Sequence, residues 1–278
     1  MLLVIDILRR KFPTSIKRYA RFLYDSDYRR HYRERRWLRN LERYKPESTT
    51  LLGPSTRFVD SASFLSAYKH IFDDKIYGFE ADRPNPVIID GGANIGLGVL
   101  YWKLLYPDAR VTAFEPDPEI FDVLHWNCRN HGHEDVRLIQ KGLWKSETEL
   151  HFAADGADSG HFSAVGQSTE EQKGTSIPTA RLRSFLNGRI DLLKLDIEGS
   201  ETEVLLDCQG ALRNVERLFV EYHSFVGQEQ RLDAILRVLH DAGFRYHIQP
   251  EFVLMQPFLD QRQSHGMDQR LNIFAYRP

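Results

Sequence analysis

The sequence predicts an α/β protein in which a mostly parallel sheet carries helices on both faces. From residue 81 onward, short apolar runs alternate with segments of helical periodicity, the pattern of successive strand–helix–strand units. One run, Val87–Asp90, ends in an acid followed by two glycines and a helical pattern. Other apolar runs also end in acids, and the carboxyl ends of parallel strands meet at one edge of a sheet. We therefore expect polar chemistry along that edge.

The composition is that of an ordinary globular protein. The 278 residues are 42% hydrophobic and 27% charged, and the net charge of −2 indicates no particular partner. Cys128 and Cys208 stand far apart, which predicts neither a disulfide framework nor a zinc site and favours a reducing cytosol. There is no apolar run near the roughly 20 residues of a membrane span, and Met1–Lys11 lacks the pattern of a secretory signal. We expect a cytoplasmic location.

We expect residues 1–80 to form a basic, mainly helical extension and residues 81–278 to form the main domain. Residues 1–45 contain fourteen Lys and Arg residues against five Asp and Glu residues. Tyr28–Arg43 has the aromatic and basic pattern of a single helix. Three interpretations stay open: docking on an anionic surface, either phospholipid or a phosphate-bearing substrate; a solvated helix whose aromatic side packs on the main domain; or, less favoured, an arm that binds nucleic acid.

The remaining elements are predicted from their local signals. Pro46–Pro54 is rich in turn formers and predicts a linker, and residues 61–80 predict a helix capped by Ser61 or Ser63. The strands are then expected at Val87–Asp90, Val111–Glu115, Val136–Gln140, Glu149–Ala153, Asp191–Asp196, Arg217–His223, Arg245–Ile248, Phe252–Phe258 and Leu271–Tyr276. The main helices are expected after Gly96, at Pro118–Asn130, from Glu201 to Leu206 and at Gln230–Ala242.

The turn after the first core strand is predicted to hold a nucleoside-type cofactor. Glycines let backbone N–H groups approach a ligand at a helix N-terminus. The dinucleotide pattern G-x-G-x-x-G is absent. If it began at Gly92, Asn94 would stand in place of its second glycine, and if it began at Gly96, Tyr101 would stand in place of its third. An acid before the glycines would repel a diphosphate but suits the ammonium group of S-adenosylmethionine. The predicted cofactor-binding residues here are Asp90, Gly91, Gly92, Ala93, Asn94 and Gly96.

Glu115 is the second predicted cofactor contact. It ends the next strand, 25 positions after Asp90. A carboxylate at that place can accept hydrogen bonds from both ribose hydroxyls of a nucleoside. Alone, it would equally suit a helix cap or a solvated surface, but the glycine turn upstream at this spacing favours the binding role.

An acidic turn follows a second buried strand. Asp196, Glu198 and Glu201 stand within six residues, so their carboxylates repel one another unless a cation intervenes. Lys194, the sulfonium of the cofactor or a metal ion could supply that cation. Asp196 lies at the strand end, where we expect it to orient the acceptor or the cofactor amine. Glu201 has the simpler interpretation of a favourable charge at a helix N-terminus.

Three motifs together resemble the FkbM family of S-adenosylmethionine-dependent methyltransferases. They are Asp90–Gly96, Phe114–Pro116 and Leu193–Glu201, the last being the most characteristic of the family. The similarity covers about residues 85–277 and leaves out the N-terminal extension. It implies a class I methyltransferase (Rossmann-like) fold with a seven-stranded sheet. It also implies S-adenosylmethionine as the cofactor and O-methylation of a hydroxyl on a sugar, glycan or natural product.

The strand at Arg217–His223 adds two candidate catalytic residues, Glu221 and His223, which point to the same side of the strand. His223 is our preferred general base, acting with Asp196 and Glu221, because its ordinary pKa lies near neutrality. In the first alternative, Asp196, Glu198, Glu221 and His223 hold a divalent metal, with magnesium or calcium suiting the carboxylates better than zinc. In the second, Glu221 and His223 only pair with each other or with the backbone.

Two other function classes remain as alternatives to a small-molecule or glycan O-methyltransferase. An RNA methyltransferase would use the basic N-terminal arm to bind phosphates. Nucleic acid ranks lower as an acceptor because no Asn/Asp-Pro-Pro-aromatic motif follows the strand that ends near Asp196. A non-catalytic protein could also keep the fold as a binding scaffold. The sequence leaves open the acceptor, self-association and metal dependence.

Overall fold

The computed structural model describes residues 24–154, 160–163, 175–256, 258–259 and 266–278. Residues 1–23, part of the predicted basic extension, lie outside the described residues. The chain divides into two compact units, one ending at Ser66 and the other beginning at Ala67. The predicted domain boundary at residue 80 stays a prediction.

The first unit contains a helix and a short hairpin. Helix α1 (Ser26–Leu38) is capped at its N-terminus by Asp25, whose side chain accepts a hydrogen bond from the backbone N–H of Tyr28. Strand β1 (Glu47–Thr49) pairs antiparallel with β2 (Thr56–Phe58). The predicted linker at Pro46–Pro54 is therefore wrong in part, because its first residues form a strand. The helix predicted at Tyr28–Arg43 is confirmed, but it begins earlier, at Ser26, and ends earlier, at Leu38.

Helix α2 (Ser61–Tyr68) is capped by Asp60 and not by Ser61 or Ser63 as predicted. The Asp60 carboxylate accepts hydrogen bonds from the backbone N–H and the hydroxyl of Ser63, at 3.0 and 2.8 Å. The predicted helix over 61–80 is also too long, because a π-helical turn at Lys69–Asp73 ends it. The buried Asp60 carboxylate additionally accepts from the Arg43 side chain at 2.8 Å and from the Tyr44 backbone at 2.8 Å.

We expect Asp60→Asn to lower the free energy of unfolding by about 3 kcal/mol at pH 7, because it removes the charge of a buried carboxylate that accepts several hydrogen bonds and pairs with the half-exposed Arg43. Burial disfavours the charged form, but Arg43, Tyr44 and Ser63 outweigh it and hold the pKa of Asp60 well below its usual range. The carboxylate therefore stabilises the fold above its ordinary pKa of about 3.9, and this contribution is lost as the pH falls below that value. Urea unfolding at several pH values should show the difference between the two proteins shrinking below about pH 4.

Asp27→Asn is the matched control for this measurement. The Asp27 side chain is 82% exposed and lies 3.6 Å from Arg30, so its removal should change the unfolding free energy by less than about 0.5 kcal/mol. A loss for Asp60→Asn as small as that of the control, or one that does not depend on pH, would contradict the prediction.

The second unit contains the predicted seven-stranded, mostly parallel sheet, which is confirmed. Its strands are β3 (Val87–Gly91), β4 (Arg110–Phe114), β5 (Arg137–Ile139), β10 (Leu192–Leu195), β11 (Arg217–Phe225), β12 (Arg245–Pro250) and β13 (Met267–Tyr276). The main helices of this unit are α3 (Leu97–Leu105), α4 (Pro118–Asn130), α5 (Glu201–Cys208) and α6 (Leu232–Asp241).

The strand order places the ends of three strands together. The order is β12-β13-β11-β10-β3-β4-β5, with β13 antiparallel to both of its neighbours and the other pairs parallel. The chain leaves β3 toward β4 and β5 on one side and later adds β10 and β11 on the other. The topological switch point therefore lies between β3 and β10, which is where open α/β sheets bind their ligands.

Both faces of this sheet are covered, which explains the nearly continuous apolar runs of its central strands. On one face, Leu218 and Val220 of β11 belong to the main core with apolar residues of α5 and α6. On the other face, the ring of Phe219 contacts Tyr77, and Tyr77 also contacts Trp102 of α3. Alternate residues of one strand therefore anchor helices on opposite sides.

A smaller four-stranded sheet lies between β5 and β10 in the sequence. It consists of β6 (Gly142–Trp144), β7 (Glu149–Ala154), β8 (Gly160–Ser163) and β9 (Thr175–Arg181), in the order β6-β9-β7-β8. The sequence predicted only the strand at β7. The strand predicted at Phe252–Phe258 is wrong, because 251–256 and 258–259 form bends and turns. Among the described residues, no helix combines the length and the apolar character needed to cross a membrane.

Candidate active site

The turn after β3 approaches the end of β10 very closely. Gly92 has a φ of +78°, and a Cβ atom added there would lie 1.8 Å from the backbone oxygen of Asp196. The backbone N–H groups of Gly92 and Ala93 both donate to the carbonyl of Phe114, at 3.1 and 2.9 Å. Any side chain at position 92 would push these strand ends apart, so the glycine is required by the meeting of three strand ends.

Glu115 holds the far side of this turn. One carboxylate oxygen accepts from the backbone N–H of Asn94 at 2.8 Å, and the other accepts from that of Asp117 at 3.0 Å. Burial raises the pKa of Glu115 to about 7, against the lowering effect of the two donors. Asn94 itself has a φ of +49°, and its side-chain oxygen accepts from Ile95. The carboxylate predicted to bind ribose thus fixes the conformation of the glycine turn.

Lys194 connects the turn to the acidic segment after β10. Its ammonium group donates to the carbonyl of Gly92 at 2.7 Å and to that of Gly91 at 3.3 Å. It lies 3.2 Å from the Asp90 carboxylate and 3.5 Å from that of Asp196. Burial disfavours the ammonium, but the two acids outweigh it and raise the pKa of Lys194 well above its ordinary value.

The Asp90 carboxylate faces this lysine in the interior, with 1% of the residue exposed. Burial raises the pKa of Asp90, and Lys194 opposes the rise. An ammonium group thus already lies beside the acid that the sequence suggested would bind the ammonium of the cofactor. That binding role of Asp90 stays a prediction.

The buried imidazole of His223 lies among three glutamates. Nδ1 lies 3.0 Å from Glu201, and Nε2 lies 3.5 Å from Glu198 and 3.6 Å from Glu221. Glu201 also accepts hydrogen bonds from the backbone N–H groups of Ile197 and Gly199, each at 3.1 Å. The Glu201 carboxylate is therefore acceptor to three donors, which makes Nδ1–H the donor to it.

The charges around His223 are strongly coupled. Burial disfavours the imidazolium, but the carboxylates of Glu201, Glu198 and Glu221 outweigh it and raise the pKa of His223 to about 10. Burial raises the pKa of Glu198 to about 8, although His223 opposes the rise. A histidine with this pKa is protonated at neutral pH, which argues against the simple general-base role. A cation at Nε2 would have to displace that ring proton. Both roles stay predictions.

Asp196 and Glu221 share a hydrogen bond beside His223. Burial and the charge of Asp196 raise the pKa of Glu221 well above its usual range. Burial also favours a higher pKa for Asp196, but the positive charges of Lys194 and His223 outweigh it, so the pKa of Asp196 is lowered. The pKa values of the two carboxyls are therefore shifted in opposite directions, upward for Glu221 and downward for Asp196.

Comparison with known proteins identifies the family. The sequence profile of the methyltransferase FkbM domain matches residues 90–246, more than half of the chain. The chain belongs to the FkbM methyltransferase family. It is accordingly an S-adenosylmethionine-dependent methyltransferase, as the resemblance of the three motifs implied.

Several curated methyltransferases are similar to this FkbM-family chain. Methyltransferase sdnD of Sordaria araneosa is 34% identical, over 64% of this chain and 80% of the relative. The 31-O-demethyl-FK506 methyltransferase FkbM of Streptomyces tacrolimicus is 28% identical, over 66% of this chain and 84% of the relative. The hexuronic acid methyltransferase AglP of Haloferax volcanii is 30% identical, over 53% of this chain and 60% of the relative.

The fold of this FkbM-family chain brings the predicted site residues together in two linked groups. The cofactor group comprises the glycine turn and Glu115, and the catalytic group comprises Asp196, Glu221 and His223. Glu198, which the sequence placed in a metal set with these three, lies against Nε2 of His223 but outside the tightest group of ligand atoms. The individual roles stay predictions.

Sequence reasoning missed three contributors to the site. Glu201 was interpreted as a helix N-terminal charge, but it binds Nδ1 of His223 and closes the acidic turn. Arg270 of β13 lies 3.6 Å from Glu221, in a register position paired with His223. The Tyr77 ring lies 5.9 Å from the ammonium of Lys194. Only Glu201 could have been found from the sequence, because it lies in the acidic segment itself. Arg270 and Tyr77 lie far from that segment in the sequence.

Proposed function

We propose that this protein transfers the methyl group of S-adenosylmethionine to a hydroxyl of a sugar, glycan or natural product. The observation that supports this most directly is the contact of Lys194 with both halves of the site. Its ammonium lies within 3.3 Å of the carbonyls of Gly91 and Gly92 and 3.5 Å from Asp196. A cofactor in the glycine turn would thus lie next to the acids that can receive the proton of a hydroxyl acceptor.

The reaction requires little from the protein beyond placement and proton removal. The acceptor oxygen forms a bond to the methyl carbon, the carbon–sulfur bond breaks, and its electron pair goes to sulfur. The enzyme holds the oxygen about 3 Å from the methyl carbon, in line with the departing sulfur. The names of the Streptomyces and Haloferax relatives support a natural product or a sugar acid as acceptor.

Transfer of labelled methyl groups tests this proposal. The protein is incubated with methyl-labelled S-adenosylmethionine and, in separate reactions, with hydroxylated natural products, glycans and RNA. We expect label in a small molecule or glycan that resists mild alkali, because an O-methyl ether survives it and a methyl ester does not. Label confined to RNA, or label released as methanol by alkali, would overturn the proposal.

Glu115→Gln provides the variant for the same assay. Because both carboxylate oxygens accept from backbone N–H groups, the amide of glutamine would face one of these donors. We expect the affinity for S-adenosylmethionine, measured by calorimetry, to fall about 10- to 100-fold. The control is Glu119→Gln, an exposed residue in the first turn of α4, which should bind normally. Equal affinity in both variants would remove Glu115 from the cofactor site.

A further inference from the structure

We propose that Asp196, Glu221 and His223 bind one divalent cation of the Mg²⁺ and Mn²⁺ class, to which the acceptor hydroxyl binds. The second half of this inference rests on the proposed function, while the binding of the cation does not.

The ligand atoms already have the spacing of a metal site. One oxygen or nitrogen from each of the three side chains lies within 4.8 Å of the others. Two ligands on opposite sides of Mg²⁺ are about 4.2 Å apart, since each bond is about 2.1 Å long. Because 4.8 Å exceeds this distance, side-chain rotation would bring the three atoms to the spacing of coordination.

His223 is oriented as a metal ligand. Its Nδ1–H donates to Glu201, so a cation that displaces the other ring proton meets the lone pair on Nε2. Nε2 is buried and, within the described part of the chain, has no hydrogen-bond partner. Metal-binding histidines commonly donate their other ring N–H to a carboxylate, which fixes the tautomer. A buried ring nitrogen without a partner is otherwise costly.

The local charge also requires a cation. Asp196, Glu198 and Glu221 converge on Nε2 or on one another. The cations next to them are shared with other acids, since Lys194 also pairs with Asp90. Arg270 likewise pairs with Glu251, at 3.2 Å. A divalent ion would relieve the remaining repulsion among these carboxylates.

The ligand set indicates which cation. Two carboxylates and one imidazole, without a thiolate, suit a hard ion that keeps several positions for water or substrate. A hydroxyl bound at such a position loses its proton more readily. In the proposed step the hydroxyl proton passes to water, the oxygen attacks the methyl carbon, and the electron pair of the broken carbon–sulfur bond stays on sulfur.

Titration of the full-length protein with Mn²⁺, followed by the electron paramagnetic resonance signal of free Mn²⁺, tests the site. We expect one bound ion per chain in the wild type. Glu221→Gln and His223→Gln should weaken binding about 10-fold or more, as for losses in metal sites. The matched control is Glu203→Gln on the same helix as Glu201, because Glu203 pairs with Lys145 and Arg231 instead. No bound ion in the wild type, or equal binding in all variants, would overturn the proposal.

Two further measurements separate this inference from the proposed function. Calorimetric binding of S-adenosylmethionine to the metal-free protein should be retained, because Glu115 and the glycine turn lie outside the cation site. Methyl transfer should fall at least about 10-fold on removal of divalent ions and return on addition of Mg²⁺. Full activity in the presence of a chelator would overturn the cation's role while leaving the methyltransferase function intact.

Discussion

Replacement of His223 with glutamine is expected to lower methyl transfer by about 10²- to 10³-fold while changing the affinity for S-adenosylmethionine by less than about threefold. The imidazole is buried between Glu201 and the pair Glu198 and Glu221. Whether it binds a cation or moves a proton, it is the group that joins these carboxylates. Cofactor binding is spared because the glycine turn contacts Lys194 and not His223.

His240→Gln is the control for this substitution, because His240 lies exposed in the last turn of α6. The measurement is steady-state turnover with the acceptor identified by labelling, together with calorimetry for the cofactor and circular dichroism for folding. A folded His223→Gln protein with turnover within about threefold of wild type would remove His223 from the reaction. A loss of cofactor affinity equal to the loss of turnover would instead indicate a structural role.

The two strand ends that form the cofactor turn and the acidic turn were predictable because their signals are local. Each combines a buried apolar run with an acid or glycine at its end, as in Val87–Gly91 and Leu192–Leu195. Parallel strands that are buried on both faces consist of nearly uninterrupted apolar residues. Such strands can therefore be recognised without knowing which strands pair with them. The helix Pro118–Asn130 was predicted with its observed bounds because Asp117 and Pro118 form a strong helix start.

The contacts within the site were not predictable because they depend on register. Lys194 and Asp90 are direct neighbours in the β10–β3 pairing, which places their side chains on the same face. Register in a parallel pair depends on the packing of the whole sheet, over a separation of more than a hundred residues. The pairing of Arg270 with His223 depends on register in the same way.

Two strands of the four-stranded sheet escaped prediction for a different reason. Strands of three or four residues, such as Gly142–Trp144 and Gly160–Ser163, are too short to show a period of two. Capping at Asp60 was missed because several cap-forming residues follow one another there, and only the direction of the Asp60 side chain distinguishes them. The sequence therefore indicates which polar residues lie at the carboxyl ends of the parallel strands, but not the distances between them.

Replacement of Lys194 with methionine is expected to lower the free energy of unfolding by about 3–5 kcal/mol, with a Tm lower by on the order of 10 °C. The variant leaves the interior carboxylate of Asp90 without its cation, because Lys194 is the group that faces it. Methionine fills most of the volume, so the loss measures charge and not packing. Differential scanning calorimetry and urea unfolding would measure the change.

Two further variants show whether charge is the cause. Lys145→Met removes a half-exposed partner of Glu203 and should cost no more than about 1 kcal/mol, because water screens that pair. Asp90→Asn combined with Lys194→Met removes both buried charges and should recover at least about 1 kcal/mol relative to Lys194→Met alone. A double variant less stable than Lys194→Met would show that the Asp90 carboxylate is stabilised by something other than the lysine. If all three proteins unfold alike, the link that Lys194 makes between the cofactor turn and the acidic turn contributes nothing to the fold.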